Sequence, residues 1–127
     1  MIMSYFDWKA SAKIADMVGK VFTSVKATGD TMVFENETDR YVFFHAQDCC
    51  ESVGINDIVG DLSDLENEVL VTADEVEGQS LADFEAYESY TWTFYKFATR
   101  KGYVDVRWLG ESNGYYSESV DLGYEKV

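Results

Sequence analysis

The 127-residue chain has no proline, one histidine, two cysteines and, from Tyr41 to Tyr95, neither lysine nor arginine. Each absence excludes something. Without proline, no residue lacks the backbone donor that an extended strand requires. Two cysteines do not make a disulfide framework, so reduced thiols in a cytosolic protein are the expectation. No run of about 18 apolar residues is present, and no membrane span is expected. The stretch Met1-Ile2-Met3-Ser4-Tyr5-Phe6-Asp7-Trp8 lacks a basic region followed by an apolar core, so no secretory leader is expected. Glycine-rich phosphate loops, Gly-x-Ser-x-Gly and His-Glu-x-x-His are all missing, which removes the commonest nucleotide, serine-hydrolase and zinc-protease signatures.

What is present is acid. Ten Lys+Arg stand against 24 Asp+Glu, a formal net charge of −14. Such a chain repels nucleic acid and anionic membranes and is attracted to basic surfaces. The charge is also localised. The base-free window from Tyr41 to Tyr95 carries 13 acids, whereas the flanking segments are nearly balanced. Because these acids alternate with Val, Leu, Ile and Phe, the window reads as folded rather than as a disordered acidic tail.

Hydrophobic content of 46% and aromatic content of 16% supply material for one core, and the length fits a single domain over 1–127. Residues 8–18 place Trp8, Ala12, Ala15 and Val18 on one face at helical spacing, with Gly19 as a stop, and predict a short helix. Residues 20–46 read as a meander: Val21–Ala27, Thr31–Glu35 and Arg40–Ala46, separated by Thr28-Gly29-Asp30 and Asn36–Asp39 turns. Residues 47–88 form the acidic segment, with strands over 50–59 and 68–77, a loop or single helical turn near Asp61–Leu65, and a second short helix capped at Ser80. Residues 90–122 read as a second meander, its last hairpin set by Asn113-Gly114, which suits a type I′ turn. The expected fold is therefore α+β: mainly antiparallel sheet built from two meanders, with one or two short helices.

His45, Asp48, Cys49, Cys50 and Glu51 concentrate ligating side chains in one stretch. Zinc accepts thiolate and imidazole in a tetrahedral shell, making His45, Cys49 and Cys50 the candidate metal ligands and Zn²⁺ the candidate cofactor. The plainer alternative is that the cysteines are small buried hydrophobes and His45 caps a strand end. A Cys–His nucleophile is disfavoured, since a negative field raises a thiol pKa. Asp61 with Asp64, or Asp74 with Glu75 and Glu77, lack a calcium-loop pattern and read as a solvated acidic face.

Two segments carry a resemblance. His45-x-x-Asp48-Cys49-Cys50-Glu51, running on to Gly60-Asp61-Leu62, is the first; Glu88 to Lys96 with Arg107-Trp108 and Ser112-Asn113-Gly114-Tyr115-Tyr116-Ser117-Glu118 is the second. Together they resemble a family of small phage and prophage proteins classed as a domain of unknown function, over roughly residues 19–122. The family supplies no catalytic residues; it implies a phage context and, with it, the host bacterial cytoplasm. In size and charge the chain is similar to several anti-CRISPR proteins.

These readings converge on a non-enzymatic phage inhibitor. Its expected partner is a basic host protein such as a CRISPR effector or restriction nuclease, with no direct contact to nucleic acid or membrane. The expected contact residues are Asp57, Asp61, Asp64, Glu66, Glu68, Asp74, Glu75, Glu77, Asp83 and Glu85, with Tyr87, Tyr115 or Tyr116 as anchors. The alternative is a small zinc-stabilised accessory domain of phage metabolism.

Overall fold

A computed structural model describes residues 12–78 and 89–127 of the chain. It contains eight strands: β1 (Ser24–Ala27), β2 (Met32–Glu35), β3 (Asp39–Phe44), β4 (Ser52–Val59), β5 (Thr72–Gly78), β6 (Ser89–Thr99), β7 (Gly102–Ser112) and β8 (Asp121–Lys126). They form two four-stranded antiparallel sheets, ordered β1-β2-β3-β8 and β4-β7-β6-β5.

The alternation of side chains turns one face of each sheet toward the other. Val25, Phe34, Tyr41 and Phe43 come from the first sheet; Tyr95, Phe97, Val104, Val106 and Trp108 come from the second. Rings interlock across the gap, with Phe34 and Phe97 centroids 4.9 Å apart and Phe43 and Tyr95 4.8 Å apart. These tilted and edge-on pairings place ring edges against ring faces, the arrangement that aromatic quadrupoles favour. β3 is buried on both faces, with Val42 and Phe44 as covered as Tyr41 and Phe43. That agrees with its unbroken apolar run.

In β4 a bulge between Ile55 and Asp57 changes the alternation. Val53, Ile55 and Ile58 all join the core, and Asp57 is turned outward. Unbroken alternation would place Asp57 on the face of Val53 and Ile55. On β6 it is Tyr95 and Phe97 that enter the core, while Trp92 and Phe94 lie on the outer face, half-buried. Arg107 stacks on Trp92 there, 5.2 Å from the ring centroid.

The expectation of an α+β fold is overturned: among the described residues there is no α-helix, only two 3-10 turns at Ile14–Met17 and Leu62–Leu65. Of the expected helix over 8–18, residues 8–11 lie outside the described residues, and the remainder is confined by its neighbours. Ala12 N–H donates to Leu122 O (3.1 Å), and Gly19 N–H donates to Leu70 O (2.8 Å). Lys13 and Val18 are extended. Pairing at both ends leaves room for one turn, which buries Met17 rather than the Ala15 and Val18 face. A single turn is too short to be held by helical propensity against such pairing. The helix expected from Ser80 falls outside the described residues.

The second meander is corrected as well. β6 and β7 form the expected hairpin, but the chain after β7 does not return to that sheet. Residues 113–120 cross to the first sheet, where β8 pairs with β3. A type I′ turn needs positive φ at both central residues. Here Gly114 has φ +94 and Asn113 does not share it. The Asn113 carboxamide instead accepts from Tyr115 N–H at 2.9 Å, a local Asx turn that redirects the chain.

The inter-sheet aromatics should dominate stability. Phe34→Ala empties a fully buried site touching Phe22, Phe43 and Phe97. It is expected to cost about 3–5 kcal/mol by urea denaturation, against less than about 0.5 kcal/mol for an exposed change such as Thr23→Ala.

Candidate functional site

The chain changes sheets twice, once through residues 45–51 and once through 113–120. The pairing puts these crossings side by side. Phe44, the last residue of β3, is opposite Asp121, and Ser52, the first of β4, is opposite Glu111. Polar residues that are far apart in sequence therefore gather at one end of the sandwich.

Glu51 is the centre. Its residue is 4% exposed, and its carboxylate is filled by donors. Oε2 accepts from His45 Nε2 and from Asp48 N–H, both at 2.7 Å; Oε1 accepts from Cys49 N–H at 2.9 Å. Burial alone would raise the Glu51 carboxyl, but the hydrogen bonds from His45, Cys49 and Asp48 outweigh it and hold it down to about 2. The Gln47 carboxamide donates to Glu51 O and Cys49 O and closes the loop from outside.

His45 links the two crossings. Its Nδ1 donates to Ser119 O at 2.7 Å, because a carbonyl can only accept. Both ring nitrogens are thus engaged, one by Glu51 Oε2 and the other by Ser119 O. Farther along the second crossing, Glu118 accepts from Thr91 Oγ1 at 2.8 Å and from Ser112 Oγ. Its backbone lies so close to β7 that a Cβ at Gly110 would meet Glu118 O at 2.2 Å. Glycine is required there. Burial, and after it the charge of Glu118, raise the nearby Glu111 carboxyl above its ordinary value.

Cys49 and Cys50 sit at a bend on the exposed rim of this network and are joined by a disulfide. The expectation of reduced thiols is corrected accordingly. An extended backbone would have sent the two side chains to opposite faces; the bend brings them together. The expected zinc ligands do not fit a metal. Both sulfurs are bonded to each other and both His45 nitrogens are engaged. No group of three or more His, Cys, Asp and Glu side chains suited to a metal occurs among the described residues.

A family model matches residues 15–122, which takes in both crossings and β1 through β7. The chain belongs to the DUF7448 family, a domain of unknown function. No curated protein and no solved structure matches the chain. The Asp-Cys-Cys-Glu and Asn-Gly-Tyr-Tyr-Ser segments both lie within the DUF7448 domain, one on each crossing. Among its described residues no helix is long and apolar enough to cross a membrane.

The acids expected to act as one surface are divided. Asp61 caps the Leu62–Leu65 turn of the domain through Ser63 N–H (3.0 Å). Asp64 lies beside Gly102 and its carbonyl accepts from Thr99 Oγ1. Glu66 accepts from Val25 N–H of β1 at 2.9 Å, Glu68 pairs with Arg100 at 3.0 Å, and Asp57 faces Arg107 at 3.9 Å. Asp74, Glu75 and Glu77 remain together on β5, all exposed. Asp57 on β4 is three strand spacings from them, roughly 14 Å. Asp83, Glu85 and Tyr87 lie outside the described residues. Tyr115 is 82% exposed on the second crossing, its ring edge-on to Tyr116.

In the sequence Glu51 is one of five ligating side chains with no special place among them, and the parts played by Ser119, Glu118, Thr91 and Ser112 are not foreseen. The Ser119 contact uses a backbone carbonyl and leaves no side-chain signature.

The Glu51 carboxyl gives a signed pH test. A folded-state value of about 2 against an ordinary 4.5 contributes stability that is complete above 4.5 and drains as pH falls toward 2. Glu51→Gln cannot ionise and lacks that contribution. Urea midpoints of the two proteins should differ most at neutral pH and converge between pH 4.5 and 2. A gap that stays constant with pH contradicts an ionised Glu51 clamp.

Proposed function

We propose that this chain is a phage-encoded, non-enzymatic inhibitor that binds a basic surface of a host nucleic-acid-directed defence complex, of the anti-CRISPR or anti-restriction kind. One observation carries the reading: the base-free acidic window culminates in an edge strand. Among the described residues β5 is the outermost strand of its sheet and presents Asp74, Glu75 and Glu77, with Val76 half-exposed between them. Charges on an edge strand guard it against pairing with another copy of the same acidic chain. The same charges attract a basic partner and speed its encounter.

We take the contact set to be smaller than the composition suggests. Asp57, Asp61, Glu66 and Glu68 are dispersed and have partners within the fold, whereas Asp74, Glu75 and Glu77 are clustered and exposed on β5, and we assign the intermolecular contact to that strand, with Val76 as its apolar centre. Glu75 is held by the Tyr95 hydroxyl at the rim of the core. Burial raises its carboxyl above the ordinary value, the Tyr95 hydrogen bond opposes, and Glu77 adds to the rise. The phage setting rests on the likeness of the two motif segments to phage and prophage proteins.

The test is capture from bacterial lysate on the purified chain, followed by elution over a salt gradient and repetition with Asp74→Asn/Glu75→Gln/Glu77→Gln. A basic subunit of a nucleic-acid-directed complex should bind and be released as salt rises. The triple variant should bind it about tenfold more weakly. Contact that is indifferent to salt, or retention of no basic nucleic-acid-binding protein, contradicts the proposal.

A further inference from the structure

The Cys49–Cys50 disulfide plays no part in the reading above, and its position is informative. Entropic stabilisation by a disulfide grows with the loop it closes and is least for adjacent residues. This bond joins neighbours in sequence and ties no distant parts of the fold together. It is also exposed, whereas the carboxylate beneath it is buried. An exposed disulfide is open to attack by a soluble thiolate.

The backbone around the pair is tied to the buried network on both sides. Cys49 N–H donates to Glu51 Oε1, Asp48 N–H donates to Glu51 Oε2, and Cys49 O accepts from the Gln47 carboxamide. His45 then connects the same carboxylate to Ser119 O on the second crossing. A change in torsional freedom at the 49–50 peptide therefore reaches first the donors that hold Glu51 and then the loop that presents Tyr115.

We propose that the Cys49–Cys50 pair is a reversible thiol–disulfide modification site whose oxidation state sets how tightly Glu51 holds the two sheet crossings together. A low-molecular-weight thiolate attacks one sulfur, the Sγ–Sγ bond breaks, and the other cysteine leaves as thiolate. A second thiol resolves the mixed disulfide. The pair gains two electrons and two protons, and two small thiols become one small disulfide. Oxidation by the small disulfide is the same exchange reversed. In the closed form the ring limits the 49–50 peptide and keeps the Asp48 and Cys49 amides on the carboxylate. In the open form those amides exchange with water more readily, while the aromatic core is untouched.

The experiment uses the full chain equilibrated in oxidised glutathione or in dithiothreitol. Iodoacetamide adducts are counted by intact mass, and amide exchange at Asp48 and Cys49 is followed by NMR. Oxidised protein should take no adduct and reduced protein two, both remaining folded. Exchange at the two amides should be about tenfold faster after reduction, with core amides such as Phe43 unchanged. Cys49→Ser/Cys50→Ser should exchange at the reduced rate in either buffer; the wild-type comparison decides the matter alone if that variant does not fold. Two adducts in oxidised glutathione, a persistent glutathione adduct on one cysteine, or equal amide exchange in the two states overturns the proposal.

Discussion

A buried carboxylate is the constraint on which this architecture turns. An ionised acid removed from water is tolerated only when donors replace its solvent. Glu51 obtains them from His45 and from the amides of Asp48 and Cys49. Those donors come from a single seven-residue crossing, so meeting the carboxylate's requirement fixes the crossing's shape. The same crossing carries the chain from the first sheet to the second. Its His45 also holds Ser119 of the return crossing. One buried carboxylate and its hydrogen bonds thus set how the chain enters and leaves the second sheet, and the interlocked aromatics then fill the space between the sheets.

The strands were largely legible in the sequence, because alternation and turn residues are local signals. β1, β2 and β3 appear where Val21–Ala27, Thr31–Glu35 and Arg40–Ala46 predicted extended chain, and the β6–β7 hairpin appears around Arg100-Lys101. The errors arose where long-range pairing overrode a local preference. Ala12, Ala15 and Val18 have helical spacing, but hydrogen bonds to Leu122 and Leu70 hold the ends of that stretch apart. Asn113-Gly114 has hairpin chemistry, yet β8 pairs with β3 through six residue pairs, a ladder invisible to any short window. The bulge near Asn56 had no sequence mark either, and it moved Asp57 to the outer face.

The candidate site was legible in composition and not in connectivity. His45 to Glu51 stood out because it gathers the only histidine and both cysteines. Side-chain softness suggested a metal, since three ligating types in one stretch resemble a coordination set. In the fold those side chains are engaged elsewhere: imidazole nitrogens hydrogen-bonded to a carboxylate and a carbonyl, and sulfurs bonded to each other. None of those partnerships can be read from spacing, and the carbonyl is not a property of any side chain.

Charge counted along a chain overstates the charge available to a partner. The window from Tyr41 to Tyr95 holds no base, yet several of its acids are committed within the fold. Asp61 and Glu66 accept backbone amides, while Glu68 and Asp57 meet arginines supplied by β7 and by the β6–β7 turn, outside the window. Glu51 is consumed entirely. An acid that caps an amide keeps its charge but loses the freedom to reorient toward a partner, and one paired with arginine presents little net field. The effective acidic surface is therefore smaller than the composition implies. It is concentrated where acids cluster exposed on one strand, at a sheet edge. Edge strands combine exposed backbone with exposed side chains, and β5 adds like charge to both. Such an edge excludes its own copies by repulsion, and on the proposed reading the charges that keep this acidic β-protein from self-pairing are the same ones that meet a basic partner.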